Sequence, residues 1–167
     1  AYYYVIGDAR GNTFQTATYH VEYKDPAYNW QRFQVPGLTL LWHDRPEDLV
    51  VTVAMDASRR LAEVRRLLGL EQTGPMKAVI LNTGDEARRS FPNISETTIN
   101  SYGGFAFGEL DIFLLLGLDG DGIVHEMTHL LIDEALDSPL AIVPAWLNEG
   151  LAMYYETDSS RRKTTLL

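Results

Sequence analysis

The chain has 167 residues, of which 14 are basic, 23 acidic and 46% hydrophobic, a composition that suits one globular domain with a sizeable core. Its net charge of −9 argues against nucleic acid as a partner, since phosphate binding needs a basic surface. No apolar run approaches the roughly eighteen residues of a membrane span, and the absence of cysteine excludes disulfides and thiolate metal ligands. The first residues lack the basic and apolar regions of a signal peptide.

Residues 2–6 and 13–23 read as two strands joined by a turn with Asp8, Gly11 and Asn12. A lone hairpin is marginal in water. Three accounts follow: the tail of an immunoglobulin-like or fibronectin-like domain, a hairpin packed on the domain that follows, or part of the main sheet. Residues 25–36, with Pro26, Pro36 and Trp30, read as a connector, so the expected organisation is hairpin and connector over 1–36 and a main domain over 37–167.

From residue 38 strands and helices alternate. Residues 38–43 are apolar enough for a buried strand. Val50, Val53, Ala54, Ala57, Leu61, Val64 and Leu68 then recur at the spacing of one helical stripe, predicting a long helix over 47–68 that Gly69 ends. Arg59, Arg60, Arg65 and Arg66 read as its solvated face rather than as a phosphate patch. A short apolar strand is predicted over 76–81, a short helix beginning at Thr83 or Asp85 and ended by Pro92, a glycine-interrupted strand over 97–107 and another strand over 110–116. Asp119-Gly120-Asp121-Gly122 lacks the ligand pattern of an EF-hand and reads as a turn with Asp121 as helix cap. His20 and His43, on strands, read as partly buried or surface histidines rather than ligands.

The chemistry concentrates in residues 121–150. His125, Glu126 and His129 form an HExxH element, and Glu149 follows twenty residues after His129. On a helix, positions four apart lie about 40° apart on one face and about 6 Å apart along the axis, so two such imidazoles can grip one ion. Zn²⁺ favours nitrogen and carboxylate donors, and catalytic sites keep three protein ligands and one open position. HExxH alone is a short pattern of common helix residues, so its weight comes from the second segment. Pro144 suits a helical first turn, residues 145–155 read as a helix carrying Trp146, Leu147, Leu151 and Tyr154 towards a core, and the connection 138–143 doubles the chain back. That places Glu149 against the first helix as third ligand. Glu126, within reach of a metal-activated water, is the expected general base. Asp133, one turn after His129, is a possible acceptor for a ligand imidazole.

HEMTH followed by WLNEGLAMYYE resembles the gluzincin metallopeptidases, whose third ligand is a glutamate on a second helix. The His129 to Glu149 spacing is similar to that of thermolysin, while Trp146-Leu147-Asn148-Glu149-Gly150 resembles the aminopeptidase N family, whose spacing is one residue shorter. The bacterial peptidase MA-like group is the closer match in overall pattern, over about residues 37–156. The resemblance implies an α+β fold, a thermolysin-like (zincin) N-terminal catalytic subdomain with a mixed sheet, active-site helix and glutamate helix, preceded here by the β-hairpin. It implies one Zn²⁺ per chain, held by His125, His129 and Glu149, with Glu126 as catalytic base and a peptide or protein as substrate.

In gluzincins the strand before the HExxH helix is an exposed edge that pairs with extended substrate. Gly103, Gly104, Phe105, Ala106 and Phe107 are the candidates for that edge. The alternative is a bulge that merely bends the sheet. The aminopeptidase G-x-M-E-N signature is not found before His125, and Glu109 is out of context for it, which favours an endopeptidase. These families also place a Tyr or His donor for the oxyanion in a later helical portion. Tyr154 and Tyr155 read as helix-packing residues, and Arg161, Arg162 and Lys163 as the start of a connection to such a portion. The expectation is therefore a catalytic domain truncated at its C-terminus, from an extracytoplasmic protein. The competing expectation is a non-catalytic domain that keeps zinc for stability as a binding or scaffold module; a third is a metal-free interaction module.

Overall fold

The computed structural model describes residues 1–19, 21–70, 74–91, 103–136 and 143–156. His20, Pro92, the expected strand residues before Gly103, most of the connection into the glutamate helix, and Arg161, Arg162 and Lys163 lie outside the described residues. In chain order the first elements are β1 (Val5–Gly7), β2 (Thr13–Gln15), β3 (Gln31–Val35), β4 (Leu38–Trp42) and α1 (Glu47–Leu68). They are followed by β5 (Met76–Leu81), α2 (Gly84–Ser90), β6 (Gly104–Phe107), β7 (Ile112–Leu116), α3 (Gly120–Leu136) and α4 (Ala145–Glu156).

Strands β3 to β7 form one mixed sheet in the order β3, β4, β5, β7, β6. The inner pairings, β4 with β5 and β5 with β7, are parallel, and the outer two are antiparallel. β4, LTLLW, is buried at every position, as a continuous apolar run requires of a strand covered on both faces. Alternate residues divide those faces. Leu38, Leu40, Ala78, Ile80, Phe113 and Leu115 meet the apolar stripes of α1 and α3 in the main core. Leu81, with Val79, Leu114, Leu116 and Phe105, meets Ala87 and Phe91 at α2 on the opposite face.

The helix ends follow local chemistry. α1 carries Glu47 and Asp48 in its first turn and Arg65 and Arg66 in its last, which suits the helix dipole, and Gly69 closes it at φ 73°, a left-handed conformation that glycine adopts without strain. Thr83 caps α2: its hydroxyl oxygen accepts the Glu86 N–H and its O–H donates to Glu86 Oε1.

Several expectations are corrected. β1 and β2 form their own two-stranded sheet, shorter than the predicted strands and extended only by a bridge between Tyr2 and Tyr19, so the hairpin is not part of the main sheet. The second half of the stretch read as a connector is β3, which pairs with β4 across a turn at Gly37. β7 begins at Ile112 rather than at residue 110, because a 3₁₀ turn over Gly108–Leu110 and Asp111 at φ 51° reverse the chain out of β6. The cap of α3 is Asp119, not Asp121: its carboxylate accepts the N–H groups of Asp121 at 3.1 Å and Gly122 at 3.2 Å. Trp146, Leu147 and Tyr154 do not point into a core; they are 74%, 37% and 49% exposed, and α4 is anchored by buried Ala152 and half-buried Tyr155.

His43 is fully buried, with Nδ1 2.8 Å from Asp44 Oδ2 and Nε2 3.0 Å from Glu86 Oε2. Tyr28 stacks on its ring at 4.2 Å and Trp30 meets it edge-on at 4.8 Å. Burial alone would raise the Glu86 carboxyl, but hydrogen bonds from the Asn82 N–H, Thr83 and His43 outweigh it and hold the group below its ordinary value.

Candidate metal centre

α3 buries Ile123, Val124, Met127, Thr128, Leu130, Leu131 and Ile132, so most of its circumference is committed to packing. His125, Glu126 and His129 stand on the remaining side. Four-residue spacing brings the two imidazoles to 4.9 Å between centroids, nearly perpendicular at 82°. α4 packs against α3 and delivers Glu149, whose side chain is 52% exposed; Oε2 lies 3.5 Å from His125 Nε2 and Oε1 3.7 Å from His129 Nε2. One ligand atom from each of the three residues falls within 4.8 Å of the others, so the structure brings together the three residues singled out by spacing.

The opposite ring nitrogens explain the orientation. His125 Nδ1 donates to Glu156 Oε2 at 2.7 Å, and His129 Nδ1 donates to Asn148 Oδ1 at 2.9 Å. With Nδ1 of each ring so bonded, Nε2 is the nitrogen that faces the Glu149 carboxylate. Two imidazole nitrogens and a carboxylate oxygen converge here, and N, N and O donors are the set that Zn²⁺ takes. The donor chemistry therefore fits a zinc ion.

Glu156 and Asn148 were not singled out for this role. The residue suggested for it, Asp133, is exposed, one turn on towards the 3₁₀ turn, with Oδ2 3.1 Å from the position of a Cβ added at Gly108. Glu156 lies one α4 turn pair beyond Glu149, at seven residues, and Asn148 immediately precedes Glu149. Only the antiparallel return of α4 along α3 makes those offsets meaningful.

Glu126 lies beside the converging donors and against β6. A Cβ added at Gly104 would stand 2.5 Å from Oε1 and 2.7 Å from Cδ of Glu126, so the Glu126 carboxylate packs on bare backbone where any side chain would displace it. Burial raises the Glu126 carboxyl above its ordinary value; His129 and His125 pull it down and Glu149 pushes it up further. Among the described residues β6 pairs with β7 alone, and is thus an edge of the described sheet. Gly104, Phe105 and Ala106 line a cavity of about 400 Å³ with His125, Glu126, His129 and Glu149. Gly103 and Gly104 also line a second cavity of about 580 Å³ with His125, Glu126 and Asp119. The fifth edge candidate, Phe107, is half-buried at the end of β6 with its ring 4.9 Å from that of Phe105.

Fold and site together define a class: an α+β domain in which two adjacent helices offer two imidazoles and a carboxylate to one cation beside an open sheet edge. Comparison with known families narrows that class, because a profile described as the Peptidase MA superfamily matches residues 56–167, and the chain belongs to this superfamily. The matched span runs from the middle of α1 through the HExxH helix and the glutamate helix. Membership carries the coarse assignment of a peptidase-type protein with metal-dependent chemistry, zinc being the usual metal of the superfamily. No curated protein and no solved structure matched the chain.

Proposed function

We propose that this protein is a zinc-dependent endopeptidase of gluzincin type, with a thermolysin-like catalytic subdomain, in which His125, His129 and Glu149 hold the metal and Glu126 is the catalytic base. The observation that carries the reading is the convergence of both Nε2 atoms and Glu149 within 4.8 Å, with Glu126 beside them against an open strand edge.

When bound, zinc would supply Lewis acidity, polarising the scissile carbonyl and acidifying the attacking water. Glu126 takes the proton released as water attacks the carbonyl carbon and passes it to the amine nitrogen as the C–N bond breaks. A carboxyl lifted by burial is suited to both halves of that transfer, since it holds a proton more readily than an exposed glutamate would. β6 offers the backbone groups on the side away from β7 to an extended peptide, and Gly104 lets that peptide approach the base without a side chain in the way. An edge that accepts a chain along its length suits cleavage within a peptide, as does the lack of a G-x-M-E-N signature before His125.

The test is Glu126→Gln in parallel with the parent protein, with zinc content and hydrolysis of a quenched peptide library measured on both. The expected result is one zinc in each and hydrolysis reduced by about 10²–10⁴-fold in the variant, the range that a positioned acid–base group supplies. Equal hydrolysis in the two proteins would sink the mechanism. Zinc in both with no hydrolysis in either would favour the binding or scaffold module.

A further inference from the structure

Arg60 is the one charged residue in the buried stripe of α1, and it reaches both helices of the metal centre. It is 6% exposed and stands three residues after Ala57 and four before Val64, in line with the core positions. Its Nη1 donates to Asp121 Oδ1 at 2.7 Å and to the main-chain oxygen of Glu156 at 2.7 Å. Its Nη2 donates to the Gly120 main-chain oxygen at 2.7 Å, and its Nε lies 3.3 Å from Asp56 Oδ2. Gly120 and Asp121 open α3, the helix of His125 and His129; Glu156 ends α4, the helix of Glu149. One guanidinium therefore clasps the beginning of one ligand helix to the end of the other.

The clasp bears directly on a ligand, because the Glu156 carboxylate fixes His125 Nδ1 at 2.7 Å. Holding the Glu156 backbone fixes where that carboxylate starts from. A planar fork with five donors can serve three oxygens on two helices at once, whereas a lysine ammonium is a single point on a flexible stem. A buried guanidinium is costly unless partnered; here Nη1 and Nη2 make three hydrogen bonds, while Nε has only the ion pair with Asp56 and no hydrogen bond.

From this geometry we infer that Arg60 is a positioning residue for the metal centre: acting through Glu156, it sets the orientation of His125 and hence the affinity of the site for zinc. The inference rests on the metal reading above. The experiment compares the full chain with Arg60→Met, Arg60→Lys, Glu156→Gln and the double variant Arg60→Met/Glu156→Gln. Each is stripped of metal, melted, and titrated with zinc against a competing chelator, and each is loaded with Co²⁺ for its visible spectrum.

The expected result is an affinity loss of about 10–100-fold in Arg60→Met, the range seen when a group behind a metal ligand is removed, with a changed Co²⁺ band. Arg60→Lys restores charge without the fork and loses affinity as well. The double variant is no weaker than Glu156→Gln, since both act on the same ring. Zinc affinity within about twofold of the parent, with only the melting temperature lowered, would make Arg60 a packing residue and overturn the inference. So would losses that add in the double variant. Should Arg60→Met fail to fold, Arg60→Lys decides by the same two readings. A parent chain that binds no zinc overturns the metal reading itself, an outcome distinct from unequal binding among the variants.

Discussion

Among the described residues, histidines are held against carboxylates in two places, and the two arrangements end differently. At the α2 end of the sheet, His43 is enclosed by Tyr28 and Trp30, and both ring nitrogens are occupied, one by Asp44 and one by Glu86. Between α3 and α4, His125 and His129 each commit only Nδ1, to Glu156 and Asn148, and leave Nε2 facing Glu149 across 3.5 and 3.7 Å. Burial is also graded: His43 is 1% exposed, His125 21% and His129 15%. The lesson is that a histidine near a carboxylate is not by itself a metal ligand. A spare nitrogen and a neighbour with the same spare nitrogen make the difference.

The sharpest way to test that contrast is Glu149→Ala. Removing a direct donor should cost zinc affinity more than the ~10–100-fold that loss of a supporting partner costs, and should be visible as zinc lost from freshly purified protein by elemental analysis. Zinc binding unchanged by the substitution would show that the two histidines do not act with Glu149. Next comes Gly104→Ala, which leaves every donor in place and pushes only the base. A misplacement on the order of 1 Å can cost about 10² in rate. The expected outcome is a kcat lower by ~10–100-fold with zinc affinity retained, because what yields is the Glu126 side chain from Cγ outward. Full activity would mean that Glu126 has room that the close approach denies.

The smallest effect on metal, and so the cleanest control, belongs to His43→Gln. Leaving Glu86 without its ring partner should destabilise the fold by about 1–3 kcal/mol, read as a lower melting temperature. Zinc affinity should stay within about twofold, as for sites that share no partner. The same centre has a pH signature. Glu86 is held below its ordinary value in the folded state, so its contribution is present above the unfolded value of 4.5 and is lost as pH falls through the lower folded value. Acid titration of stability should show that loss in the parent, and it should shrink in the variant, where one of the groups that lower Glu86 is gone.

The contrast between the two centres was only half legible in the sequence. The HExxH spacing and a glutamate on a following helix are local patterns, and helical geometry turns them into three converging donors. His43 carries no such pattern; apart from the adjacent Asp44, its environment is assembled from Tyr28, Trp30 and Glu86, which reach it only once the strands and α2 have come together. Arg60 differs from its sequence expectation for a related reason. Four arginines on one helix suggest a wet face, yet position 60 shares the 3.6-residue period of Ala57 and Val64, and that period was the signal to follow. The facing of α4 departs from its aromatic pattern: Trp146 and Tyr154 are exposed, and Ala152 is the buried residue.

That thin anchorage gives the glutamate helix its own thermodynamics. With Ala152 as its single fully buried residue, and held mainly to α3 and by the Arg60 bond to its last turn, α4 should belong to the part of the protein that opens most readily in the native state. A cation that binds only while α4 is docked stabilises that docking through mass action, so free zinc concentration would set how often the helix comes away. Hydrogen exchange along α4 would then slow as zinc rises, while exchange in β4 and β5 stays tied to global unfolding.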